Sequence, residues 1–216
     1  MRFQALISAV MLCAGLPAGL AAQARFEGVV TMTAGIRNGK PVETHFWIKG
    51  PRARIEMRDP TLGPVAFILD GNGSVTKVLD STRQFIPVGT GGGNLPLKFS
   101  PTGRSDTVAG YPCACYKVLG PTGDPWLGLE SCIATALGFV AFGPAGPFEG
   151  DDQRPLKAQF PAGFMVLKTV RADGSTRAEV IRIERTAVSN ARFVVPPGYL
   201  EVRNPDLPLP PPPKKP

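Results

Sequence analysis

The sequence predicts a mainly β protein built on an antiparallel sheet, and three observations carry that expectation. Glycine (25) and proline (24) supply 49 of the 216 residues, while 43% of the chain is apolar and 19% charged, so it is rich in turns yet apolar enough to bury a core. Apolar and polar residues alternate in several short runs. Between those runs stand Asn38-Gly39, Asp70-Gly71-Asn72-Gly73 and Asp173-Gly174, which suit the left-handed backbone of tight hairpins. The length leaves room for one sizeable domain.

Residues 1–24 read as a secretory leader: Arg2 supplies a short positive region, Leu6 to Leu12 an apolar stretch, and Ala22-Gln23-Ala24 a small-x-small site before Arg25. Gly15, Pro17 and Gly19 interrupt the segment well short of a membrane span, and Met11-Leu12 is a poor match for the small residues that precede a lipidated cysteine, here Cys13. The expectation is cleavage between Ala24 and Arg25 and a chain that lies in the periplasm or outside the cell and is not an integral membrane protein. Amino-terminal sequencing of exported protein should therefore begin at Arg25; a diacylated Cys13 would refute it. Loss of the leader removes Arg2 and no acid, leaving 23 bases against 17 acids, a net charge of +6. The bases are scattered, and the densest group, Lys49, Arg52, Arg54 and Arg58, reads as a solvated strand face, so nucleic acid is not expected as a partner.

Phe26 to Met57 gives two runs about Asn38-Gly39, hence a hairpin. In the second run Val42, Thr44, Phe46 and Ile48 alternate with Glu43, His45, Trp47 and Lys49. After Gly50-Pro51, Ala53, Ile55 and Met57 face one side and Arg52, Arg54, Glu56 and Arg58 the other. Val65 to Leu69 and Val75 to Leu79 form a second hairpin, and Phe164 to Val170 with Arg177 to Thr186 a third. Leu129, Cys132, Ile133, Ala136, Leu137 and Val140 recur at spacings of three and four, which predicts a helix over Leu129 to Phe142 that covers the sheet. Residues 25–203 form the expected domain, and 204–216, with seven prolines, an extended tail. Deleting the tail should leave the thermal midpoint nearly unchanged in calorimetry; a fall of several degrees would mean that it packs on the sheet.

Chemistry is sparse. The spacing Asp70, Asn72, Ser74 begins like a calcium loop but places Val75 and Ser81 where glycine and glutamate are needed. Gly89 to Gly93 lacks the lysine and hydroxyl of a phosphate loop, and Asp151-Asp152 read as solvent-facing loop acids. The one histidine, His45, is the sole base available to a serine-type triad. No metal, cofactor or catalytic residue is therefore expected. Cys113, Cys115 and Cys132, in an oxidising compartment, point to one disulfide that joins Cys132 to Cys113 or Cys115, because Cys113 and Cys115 lie near the upper limit of separation for a bridge along a strand. The expected role of that bridge is to pin helix to sheet.

Phe26-Glu27-Gly28-Val29-Val30, Ile48-Lys49-Gly50 with Arg54-Ile55-Glu56-Met57, Ala109-Gly110-Tyr111-Pro112-Cys113, Glu130-Ser131-Cys132-Ile133-Ala134 and Phe193 to Tyr199 together resemble the bacterial secreted family DUF4412. The resemblance implies a curved, incompletely closed antiparallel sheet like that of periplasmic lipoprotein carriers, a half-barrel with one or two short helices on its concave face. It also implies pairing of Cys113 with Cys132. It carries no known activity. The function this suggests is non-enzymatic: an exported envelope protein that holds a lipid or other apolar molecule between sheet and helix, with Phe46, Ile48, Ile55 and Met57 as candidates for the cavity wall. The alternative is an interaction module that contacts an envelope protein or polymer through the basic face or the proline-rich tail.

Overall fold

A computed structural model describes residues 26–35, 41–71, 74–89, 98–120, 128–135, 137, 158–160 and 163–202. Their strands are β1 (Glu27–Gly35), β2 (Pro41–Lys49), β3 (Arg52–Asp59), β4 (Gly63–Leu69), β5 (Val75–Leu79), β6 (Gln84–Gly89), β7 (Lys98–Val108), β8 (Tyr111–Leu119), β9 (Glu130–Ala134), β10 (Met165–Val170), β11 (Thr176–Arg185) and β12 (Leu200–Glu201). They form one sheet in the order β12-β6-β5-β4-β3-β2-β1-β11-β10-β9-β8-β7. Every pairing is antiparallel except that of β12 with β6. The mainly β, antiparallel class expected from the sequence is what the chain adopts, and the three expected hairpins are β1–β2, β4–β5 and β10–β11. Asn38-Gly39 and Asn72-Gly73 lie outside the described residues, as do the leader and the tail.

The sheet curls. β7 and β11 touch although three strands separate them, and Lys168 on β10 reaches Asp106 on β7 at 3.5 Å across β8 and β9. In a flat sheet strands three places apart lie roughly 14 Å from one another. Asp106 is in register with Cys113, and Lys168 with Cys132, so the sheet bends toward the face that carries the cysteines. That concave face holds the main core: Phe26 and Val30, Phe46 and Ile48, Ala53, Leu69, Cys113, Cys115, Cys132, Leu167 and Val180. Close approach at one point requires glycine, since a Cβ on Gly28 would collide with the backbone carbonyl of Glu184.

The other face is covered in two places. At the β7–β10 end Phe99, Val118, Ile133 and Val166 pack with Tyr116 and with Phe160 and Phe164 from the segment before β10. Tyr116–Phe160 and Phe99–Tyr116 meet edge-on, with ring centroids 5.4 and 6.2 Å apart, while Phe160 and Phe164 meet tilted at 5.0 Å. At the other end the segment after β11 returns as a strap, described below. Among the described residues the helical structure is Ala158-Gln159 and a 3-10 turn at Asn190–Phe193, and both lie on the convex side. No helix among these residues is long and apolar enough to cross a membrane.

The helix expected over Leu129 to Phe142 is corrected at its start, where Glu130–Ala134 is strand β9, paired with β8 and β10. The physical reason is burial on both faces: Cys132 and Ala134 enter the concave core while Ile133 enters the aromatic cluster behind it. A strand buried on both sides loses its alternation and imitates a helical run.

Candidate functional site

The bridge joins Cys115 to Cys132, and Cys113 is a buried free thiol. This corrects the expected Cys113–Cys132 pair and the expected purpose of the bridge. Cys115 and Cys132 are register partners on adjacent strands with Cα atoms 4.0 Å apart, whereas Cys113 projects from the same face one pleat further along β8, beyond the end of β9 pairing. The bridge therefore links strand to strand. The Cys113 thiol is pushed up by burial and by the Asp106 carboxylate, although it bonds the Asp106 carbonyl at 3.4 Å, so it stays protonated and inert.

Over this bridge, at the curled end of the concave face, opens a cleft of about 710 Å³. Its walls come from β7, β8, β9, β10 and the β10–β11 turn. The charged side chains that line it are Arg104, Asp106, Lys117, Glu130, Lys168 and Arg171. A bulge in β10 builds the site locally: Leu167 is the extra residue opposite β9, so Leu167 stays in the core while Lys168 comes into register with Cys132 and enters the cleft. Lys168 is then clasped by Asp106 and Glu179, each at 3.5 Å. Burial works against its charge, but the two carboxylates outweigh that and raise its pKa. Arg104 pairs with Glu130, which raises the Arg104 pKa further. Cys115, Cys132 and Glu130 also bring ligand atoms within 4.8 Å of one another, the one such group among the described residues, but its two sulfurs are spent on each other.

The residues singled out in the sequence lie elsewhere. Phe46 and Ile48 are buried in the concave core and Ile55 packs on it, half-buried; Met57 is half-buried on β3; none of the four lines the cleft. Ala24, Arg25 and Asp151-Asp152 fall outside the described residues. His45 meets the Thr31 hydroxyl at Nδ1 (3.3 Å) and the Glu43 carboxylate at Nε2 (3.3 Å), an arrangement that resembles a nucleophile, base and orienting acid. Thr31 is only 6% exposed and the cleft is elsewhere, so this hydroxyl is a satisfied core group.

Of the basic group on β2 and β3, Arg58 is exposed as a solvated face requires, but Lys49, Arg52 and Arg54 are not free, and for these three the expectation is corrected. Lys49 bonds Glu27 (3.0 Å) and the Val188 carbonyl (2.9 Å), Arg52 bonds Asn190 and lies over Phe193, and Arg54 is buried against Glu56. Together they hold down the strap. Val188 N–H donates to Glu27, Arg192 stacks on Trp47 at 4.0 Å, Val195 and Tyr199 pack on Ala66, Ile68 and Val78, and Tyr199 donates to Asp80 at 2.8 Å. Only long-range contacts reveal this, and no local spacing announces it.

Residues 96–199 match the family model of DUF4412, a domain of unknown function, which bears out the resemblance over that span. Of the pieces that carried it, those about Cys113, Cys132 and Tyr199 fall inside the match. No curated protein matches the chain. Among solved structures, an uncharacterised conserved protein from Thermus thermophilus is similar over 82% of this chain and 89% of its own, with 14% identity and a TM-score of 0.48. MucB is similar over 82% of this chain with 14% identity and a TM-score of 0.39, and the match spans 60% of MucB.

Proposed function

We propose that this chain, DUF4412-like over residues 96–199, is an exported, non-enzymatic protein that binds an amphipathic lipid-like molecule on its concave face. One observation carries the reading. Met32, Ile55, Phe67, Val88, Tyr111 and Ile183 pack against the concave core yet remain only half-buried, so apolar surface from six strands faces the hollow of the curl. The cleft adjoins it: from the disulfide, the same face of β8 continues through Cys113 to Tyr111. A ligand with its chain on the apolar surface and its polar end in the cleft fits both. The disulfide supports an oxidising compartment. The alternative of a free basic docking face loses support, because Lys49, Arg52 and Arg54 are engaged by the strap and by Glu56.

Native mass spectrometry of protein released gently from its own cell envelope tests the proposal. Retained lipid should appear as discrete added mass that organic extraction removes. Bare protein from such a preparation, with no uptake of added single-chain amphiphiles, would overturn it.

A further inference from the structure

We infer that the cleft over the Cys115–Cys132 bridge selects an anionic headgroup, so that the preferred ligand is an acyl or alkyl chain ending in a phosphate or carboxylate. The inference rests on the amphiphile reading above and adds its charge. Four cations line the cleft, one each from β7 (Arg104), β8 (Lys117), β10 (Lys168) and the β10–β11 turn (Arg171). Both lining acids are already engaged within the protein, Asp106 by Lys168 and Glu130 by Arg104. Glu179, outside the lining, is likewise spent on Lys168.

What remains without an ion-paired acid is positive. Lys117 makes no ion pair with an acid among the described residues, and the side-chain hydrogen bonds of Arg171 go to neutral acceptors, the Ser175 hydroxyl and the Thr176 carbonyl. Asp173, the acid of that turn, is hydrogen-bonded by Ser175 and feels the charge of Arg171, but it does not line the cleft and makes no ion pair with Arg171. In register Glu130 lies between Lys117 and Val170, and the buried disulfide lies one pleat further along the same face; with Glu130 bonded to Arg104, the four cations of the cleft outnumber its two acids. Lys168, fixed by two carboxylates, is a third donor held in place at the floor. An acidic headgroup can accept from Lys117 and Arg171 without breaking any ion pair seen in the fold.

The test uses the mature protein and four probes below their micelle concentrations: dodecyl phosphate, dodecyl maltoside, dodecyltrimethylammonium and inorganic phosphate, followed by calorimetric titration. Dodecyl phosphate should bind at least about tenfold more tightly than the neutral and cationic chains, and the difference should shrink as salt is raised. Lys117→Ala with Arg171→Ala, both at exposed positions, should weaken dodecyl phosphate by about tenfold and leave dodecyl maltoside unchanged. Equal binding of the three chains, or an unchanged dodecyl phosphate affinity in the double variant, would overturn the headgroup assignment while the amphiphile reading stands. Inorganic phosphate bound as tightly as dodecyl phosphate would overturn it in the other direction, as an anion site with no use for a chain. Failure of every chain to bind would sink the amphiphile reading itself and this inference with it.

Discussion

Cys132→Ala is expected to cost about 3 kcal/mol of unfolding free energy, and Cys115→Ala about the same, because each opens a loop closed across 17 positions of sequence. For a chain of this size that corresponds to a fall of about 6 to 12 °C in thermal midpoint. The double variant should lie close to either single one, since the constraint can be lost only once. Cys113→Ala is different: it removes a buried sulfur from the concave core but no bridge, and should cost only about 1 kcal/mol. Chemical reduction of the native protein should reproduce the Cys132→Ala value and leave Cys132→Ala unaffected. Peptide mapping without reductant decides the pairing directly, and a Cys113–Cys132 linkage, or a Cys113→Ala variant as unstable as Cys132→Ala, would contradict the register of β8 and β9.

That register shows where local sequence stops being informative. The hairpin strands were legible because each has one dry and one wetter face: β2 and β3 alternate, and Phe46, Ile48 and Ala53 turn inward as their spacing requires. β9 was not legible as a strand, because neighbours on both sides of the sheet bury Cys132, Ile133 and Ala134 alike, and a run without alternation carries no period to read. The disulfide partner followed from the same gap. Without β9 there was no opposing residue for Cys115, and with it the choice is fixed by which cysteine sits across the ladder.

The cleft was illegible for a further reason. Its charged side chains span Arg104 to Arg171, and what brings them together is the curl of the sheet and one extra residue in β10. Lys168 in particular looks like the polar member of an alternating run, yet the bulge turns it to the same side as Leu167. Curvature is a sum of small strand twists and leaves no mark at any single position. The strap was hidden by the opposite effect: Arg52, Arg54 and Glu56 alternate as a solvent-facing row would, and are covered by residues more than 130 positions later.

Glu56 is the hinge of that arrangement, and Glu56→Ala is expected to destabilise the protein by about 3 kcal/mol. Its carboxylate accepts from Arg54 Nε at 2.6 Å, Trp47 Nε1 at 3.0 Å and an Arg192 guanidinium nitrogen at 3.2 Å. Arg54 is 7% exposed, so removing its partner leaves a guanidinium charge buried without compensation. Arg192→Ala removes only the outermost bond and the stacking on Trp47, and should cost about 1 kcal/mol. The pair should therefore couple in a double-variant cycle. Burial pushes the Glu56 pKa up, but the hydrogen bonds from Arg54 and Trp47 and the charges of Arg54 and Arg192 outweigh it and hold the pKa below its ordinary value of 4.5. A carboxylate depressed in the folded state contributes stability that is complete above the unfolded value and disappears as pH falls through the folded one. The stability gap between the native protein and Glu56→Gln should thus be constant from neutral pH down to about 5 and close progressively below 4.5, where protonated Glu56 resembles the glutamine. Denaturant melts of the two proteins at pH 7 and pH 3.5 measure that gap, and a gap of equal size at both would show that the strap is held without the charge of Glu56.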